Sequence, residues 1–97
     1  MPNITAAGTY TKDSTGFSFL SWPDKRSGKE EERVILFAGS TVGTACVVQY
    51  VDDAGVPRTL EDGTISTLPD SIVVAPMRKD LQIVVTGTPS FNVTSGK

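Results

Sequence analysis

Apolar side chains in this 97-residue chain come in short alternating sets or short blocks, cut at close intervals by glycine and proline. That is the signature of strands and not of helices, whose apolar stripe recurs every three to four residues. Residues 3–10 are polar and rich in Thr, Ala and Gly, and read as an extended arm or a weak edge strand. Residues 16–22 place Phe17 and Phe19 on one side and Ser18 on the other, as a half-buried strand stopped by Pro23. Residues 23–32 are the most polar stretch and read as a solvated loop. Residues 33–38 form a continuous apolar strand, with a turn or bulge at Gly39-Ser40. Residues 41–51 read as the longest strand, with Val42, Cys46, Val48 and Tyr50 sharing a face.

Asp52-Asp53-Ala54-Gly55 has turn composition, and Glu61-Asp62-Gly63 reads as a second turn. Pro57 to Leu60 pairs weakly on this reading, and Thr64 to Leu68 is a short strand. Ser71 to Ala75, Leu81 to Thr86 and a last segment anchored by Phe91 and Val93 complete the set, with polar turns at 77–80 and 87–89. About seven or eight short strands at this spacing predict an all-β fold: a single small antiparallel β-sandwich or barrel, Ig-like or jelly-roll-like. An antibody-type core is not expected, because Trp22 precedes a lone cysteine. Residues 1–15 are expected to be the arm or edge strand, and 16–97 the sandwich domain.

Charge and composition narrow the function. Nine basic and eleven acidic residues leave a net charge of −2, with the basic ones scattered or interleaved with acids. A nucleic-acid binder would carry a basic stripe. No apolar run reaches the roughly 20 residues of a membrane span, and Met1 to Thr5 lacks the basic start and apolar run of a secretory signal. The expectation is a protein soluble in the cytoplasm where it is made, with no nucleic-acid or membrane partner. Asn3-Ile4-Thr5 and Asn92-Val93-Thr94 match the glycosylation sequon, as chance provides in a Thr-rich chain.

Candidate chemistry is sparse. The chain has no histidine, which removes the commonest general base and neutral metal ligand. Cys46 sits mid-strand among valines, where a thiol behaves as a small hydrophobe. Gly39-Ser40-Thr41-Val42-Gly43 is followed by neither a lysine nor a helix, so it reads as a turn and not a phosphate loop. Asp52, Asp53, Glu61 and Asp62 lie beside glycines in turns, where Asp bonds its own backbone. Calcium at Asp52, Asp53 and Asp62 is the weaker alternative, because the spaced acidic loop of a calcium hand is missing. The expectation is a non-enzymatic binding protein without cofactors. Most aromatics fall on core faces, but Tyr10 and Trp22 lie near strand ends. With Lys25, Arg26 and Lys29 of the polar loop, they are the candidate partner contacts.

One stretch resembles a known group. Val34 to Ala45, then Val47-Val48-Gln49-Tyr50 and the Asp52–Gly55 turn, is similar to small virion proteins of tailed bacteriophages. So is the close of the chain, Ile72 to Pro76 followed by Leu81 to Gly87. The likeness spans about residues 33–95 and departs at Val42-Gly43, where such proteins carry consecutive glycines. The resemblance implies a capsid decoration or cement protein in the virion, bound to the major capsid protein or another virion protein. It also implies a homo-oligomer, often a trimer, with the arm or loop 23–32 reaching a neighbour. The competing expectation is a carbohydrate-binding or adhesive β-sandwich module of a fibre or cell surface, which needs exposed Trp22, Tyr10 or Tyr50.

Overall fold

A computed structural model describes residues 3–21, 33–74 and 79–95. Eight strands follow in order: β1 (Asn3–Ile4), β2 (Gly8–Tyr10), β3 (Arg33–Thr41), β4 (Ala45–Val51), β5 (Pro57–Ile65), β6 (Asp70–Val74), β7 (Leu81–Thr86) and β8 (Ser90–Ser95). They form two four-stranded sheets, ordered β1-β8-β3-β6 and β2-β7-β4-β5, and every pairing is antiparallel.

The pairing follows one rule. Strand β1 pairs with β8, β2 with β7, β3 with β6, and β4 with β5. The chain is thus a single long hairpin whose tip is the β4–β5 turn. Rolling that ribbon sends alternate pairs to opposite sheets, and β3–β8 and β4–β7 contacts then zip each sheet together. This is the jelly-roll order, and it resolves the two topologies the sequence left open.

Period-two alternation fills the space between the sheets. Ile35 and Phe37 of β3, Cys46 and Val48 of β4, Ile72 and Val74 of β6, Leu81, Ile83 and Val85 of β7, and Phe91 and Val93 of β8 are all buried. Ile4 of β1 is fully buried in the same core, so residues 3–10 supply an edge strand to each sheet. Phe37 and Phe91 meet across β3 and β8 at 6.3 Å between ring centres, within the range at which tilted rings attract.

Three local expectations are corrected. Residues 16–21 do not form a strand: Ser18–Leu20 is a short 3-10 turn, bonded from Leu20 N to Phe17 O and from Ser21 N to Ser18 O. The core takes Phe17 and Leu20, three residues apart, while Phe19 is only half-buried. Residues 41–51 are not one strand either. The chain turns at 42–44 to pass from one sheet to the other, with Gly43 at φ 84° and Val42 buried in the corner. Lastly, Glu61-Asp62-Gly63 is not a turn but a bulge inside β5. The register steps from Gln49↔Thr59 to Val47↔Thr64, so β5 carries surplus residues opposite Val48. Gly63 is buried there because a Cβ would lie 2.5 Å from the Val48 carbonyl oxygen.

Gly39-Ser40 is a bulge between β3 and β8, as expected of that pair. It brings the Gly39 backbone against the Phe91 backbone with no room for a side chain. Residues 23–32 and the tip of the predicted 77–80 turn, Met77 and Arg78, lie outside the described residues.

The alternation along β3 makes a sharp test. Phe37→Ala is expected to cost about 3–5 kcal/mol. Leu36→Ala, one residue away on the outer face, should cost about 0.5 kcal/mol or less. Urea denaturation midpoints of the two variants measure the difference.

Candidate functional site

The alternation that packs the core also decides what each sheet shows to the outside. On the β1-β8-β3-β6 sheet the outward positions are Asn3, Asn92, Thr94, Val34, Leu36, Ala38, Ser71 and Val73. Val34 lies opposite Val73, and Leu36 lies between Ser71 and Thr94, so Val34, Leu36 and Val73 form one aliphatic strip. Leu36 is 42% exposed and Val73 60% exposed. No described side chain on this face is charged.

The other outer face is polar at its centre, and its β5 edge carries the exposed Glu61 and Asp62. Gln82 Nε2 donates to Gln49 Oε1 at 2.8 Å, and Gln49 Nε2 donates to Thr59 Oγ1 at 3.3 Å. That amide ladder crosses β7, β4 and β5, flanked by the half-buried Val47 and Val84.

The described ion pairs sit elsewhere. Three ion pairs gather around the β4–β5 turn and the start of β7: Arg58–Asp52 (3.0 Å), Lys79–Asp53 (2.7 Å) and Lys12–Asp80 (3.1 Å). Asp52 does the turn chemistry expected of it. Its Oδ1 accepts from the Ala54 and Val56 amides, both at 2.9 Å, and its Oδ2 accepts from Arg58 Nε. The Val56 amide first, then the Arg58 guanidinium, hold the Asp52 carboxyl below its usual range. The Asp80 carboxylate, as hydrogen-bond partner, raises Lys12 above its usual value.

Asp53 is tied to Lys79, and Asp62 lies away along β5, so the three aspartates weighed for calcium do not converge. Among the described residues no group of three or more His, Cys, Asp or Glu could hold a metal ion. A shallow groove of about 520 Å³ runs between the edge strands β5 and β6, lined by Glu61, Asp62, Thr64, Asp70, Ser71, Ile72 and Val73. It carries Glu61 and Asp62, which the sequence pattern placed in a turn, together with Asp70 at the start of β6. Their approach depends on which strands end at the same side of the sandwich, information that single-strand patterns do not contain.

Cys46 is fully buried, and burial pushes its thiol up to about 11. At neutral pH it is protonated and shielded, a core residue and not a nucleophile. Tyr10 is half-buried: its hydroxyl donates to Ala6 O at 2.6 Å and its ring packs on Phe17 at 5.2 Å. Tyr50 is half-buried against the core. Trp22, Lys25, Arg26 and Lys29 lie outside the described residues. No helix among the described residues is long and apolar enough to cross a membrane.

No protein-family model, curated protein or solved structure matches the chain.

Two predictions follow from the titrating groups. The folded Asp52 pKa lies below its unfolded value, so its contribution is present above the unfolded pKa and disappears as pH falls through the folded one. Hydrogen exchange at the Ala54 and Val56 amides, compared at matched intrinsic rates, should speed up on acidification below about pH 4. In Asp52→Ala it should be fast throughout. For Cys46 the folded pKa is the higher, so its stability contribution is intact below the unfolded pKa near 9 and declines as pH rises toward about 11. A chromogenic disulfide reagent should leave the native thiol unlabelled at pH 8 and label it fully in denaturant.

Proposed function

We propose that this chain is a structural component of a virus particle, a decoration or cement protein that docks on the repeating surface of a shell. The reading rests on one observation above all: the outer face of the β1-β8-β3-β6 sheet has no charge among the described residues and carries the strip Val34, Leu36 and Val73, of which Leu36 and Val73 are exposed. Charges are the groups most costly to strip of water, and their depletion marks the centre of protein contact surfaces. The occupant of this face is an uncharged surface patch of the shell subunit.

Area supports a lattice over a lone pair. Four strands about 4.8 Å apart, of two (β1), six (β8), nine (β3) and five (β6) residues, cover roughly 300–400 Å². A stable binary complex needs about 800 Å² per partner. A contact of that size is individually weak and gains occupancy when several copies bind a symmetric array together. The jelly-roll order agrees by analogy, since viral capsid domains often use it, though lectins do too. The resemblance of residues 33–95 to tailed-phage virion proteins points the same way. The role on this reading is binding without turnover.

The carbohydrate-binding alternative has less support. Stacking on sugars needs free aromatic faces, and the rings of Tyr10 and Tyr50 are engaged with the core.

Electron microscopy of particles purified from cells that make the chain tests the proposal. The expected result is density for the chain at symmetry-related sites on a shell, contacted through the Leu36 face. Leu36→Lys should reduce occupancy at least tenfold while shifting stability by no more than about 0.5 kcal/mol. A chain recovered only as free monomer, or density seated on another face, overturns it.

A further inference from the structure

A jelly roll has four sheet edges, and this one treats them unequally. The edge strands are β1 and β6 in one sheet, β2 and β5 in the other. An unpaired edge invites pairing by another chain, and proteins blunt it with short strands, prolines, bulges and charges. Here β1 has two residues and β2 three. Strand β5 opens with Pro57, carries Arg58, Glu61 and Asp62, and is bulged between Thr59 and Thr64. Strand β6 has five residues, Asp70-Ser71-Ile72-Val73-Val74, with a single charge at its first position and an unbroken register against β3.

Among the described residues no strand pairs with the side of β6 away from β3, and that side is also shaped. The Ser71 amide donates to Asp70 Oδ1 at 2.7 Å and so is not bonded to β3, which places the Ser71 amide and carbonyl on the side away from β3. Amide and carbonyl directions alternate along an antiparallel strand, so Val73 presents both of its groups there as well. Alongside runs the groove shared with β5, walled by Glu61, Asp62 and Asp70. Glu61 and Asp62 carry no ion pair among the described residues. The three carboxylates do not converge as metal ligands do. Carboxylates spread along a groove suit a row of spaced cations.

We propose that β6 accepts an added strand from a partner protein: an extended segment alternating Lys or Arg with aliphatic residues. Its backbone pairs with the Ser71 carbonyl and with the amide and carbonyl of Val73. Its cationic side chains turn into the groove toward Glu61, Asp62 and Asp70, and its aliphatic ones continue the outer face beside Val73. Main-chain bonds supply the affinity and the alternating side chains the selectivity, the general mode of strand addition. The inference stands on the β6 edge alone and goes beyond the capsid reading, which rests on the Leu36 face.

The test titrates the full chain with an end-blocked hexapeptide Lys-Val-Lys-Val-Lys-Val, followed by amide NMR. The expected result is saturable shifts at Ser71 and Val73, with new exchange protection of the Val73 amide. The Glu61→Lys/Asp62→Lys variant should bind at least tenfold more weakly. The matching Glu-Val hexapeptide should show no shifts at β6. Val73→Pro removes the edge amide at a position where proline is tolerated, and should abolish binding. A fully N-methylated Lys-Val peptide keeps its charges and loses its donors, so it gives the same answer if that variant fails to fold. Absence of binding at millimolar peptide overturns the proposal. So do shifts centred away from β6, or undiminished binding by the N-methylated peptide, which would mean charge attraction without strand pairing.

Discussion

Everything in this fold depends on burying one set of alternating side chains between two sheets. A ribbon of paired strands has two faces, and neither sheet is stable while its apolar face meets water. Rolling the ribbon solves this by sending β1, β8, β3 and β6 to one layer and β2, β7, β4 and β5 to the other. Burial contributes about 25 cal/mol per Å² of apolar surface, and the residues that supply it are Ile, Val, Leu and Phe at every second position. The corners at 42–44 and 87–89 exist to let the chain change layers. They are tied to each other by the Thr44 amide, which donates to Thr86 O at 2.8 Å.

The same alternation partitions the surface. Described residues between the core positions are mostly Thr, Ser, Asn, Gln and small aliphatics, so the β1-β8-β3-β6 face carries no described charge, and charge collects at one end and along the β5–β6 groove. An ion pair at the turn, such as Arg58–Asp52, is exposed and contributes little to stability. The effect of this arrangement is to leave wide areas that can be dehydrated cheaply.

Much of the fold was legible in the residues because period-two patterning is local. Strand β7 was bounded correctly at Leu81 and Thr86 by its own alternation, and the Asp52–Gly55 turn by its composition. Where the reading missed, a non-local contact chose between local options. Phe17, Phe19 and Leu20 suit either a strand or a 3-10 turn, and the core selected the pair at 17 and 20. Thr41 to Val51 looks continuous until Gly43 must turn toward the second sheet. Glu61-Asp62-Gly63 has turn composition, but Gly63 is needed where β5 passes the Val48 carbonyl. The uncharged face could have been read from the outward positions once strands were assigned. The groove could not, because it joins strands from different sheets.

The position of β8 has a consequence for how the molecule is made. It lies between β1 and β3, in the interior of its sheet, although it is the last strand in the chain. During synthesis, β1 and the outer flank of β3 wait with open backbone until Ser95 has cleared the ribosome tunnel. The β4–β5 arm can close first, since its strands are neighbours along the chain. The sheet is therefore completed by contacts far apart in sequence, which slow folding and lengthen the time that unpaired backbone is open to wrong partners.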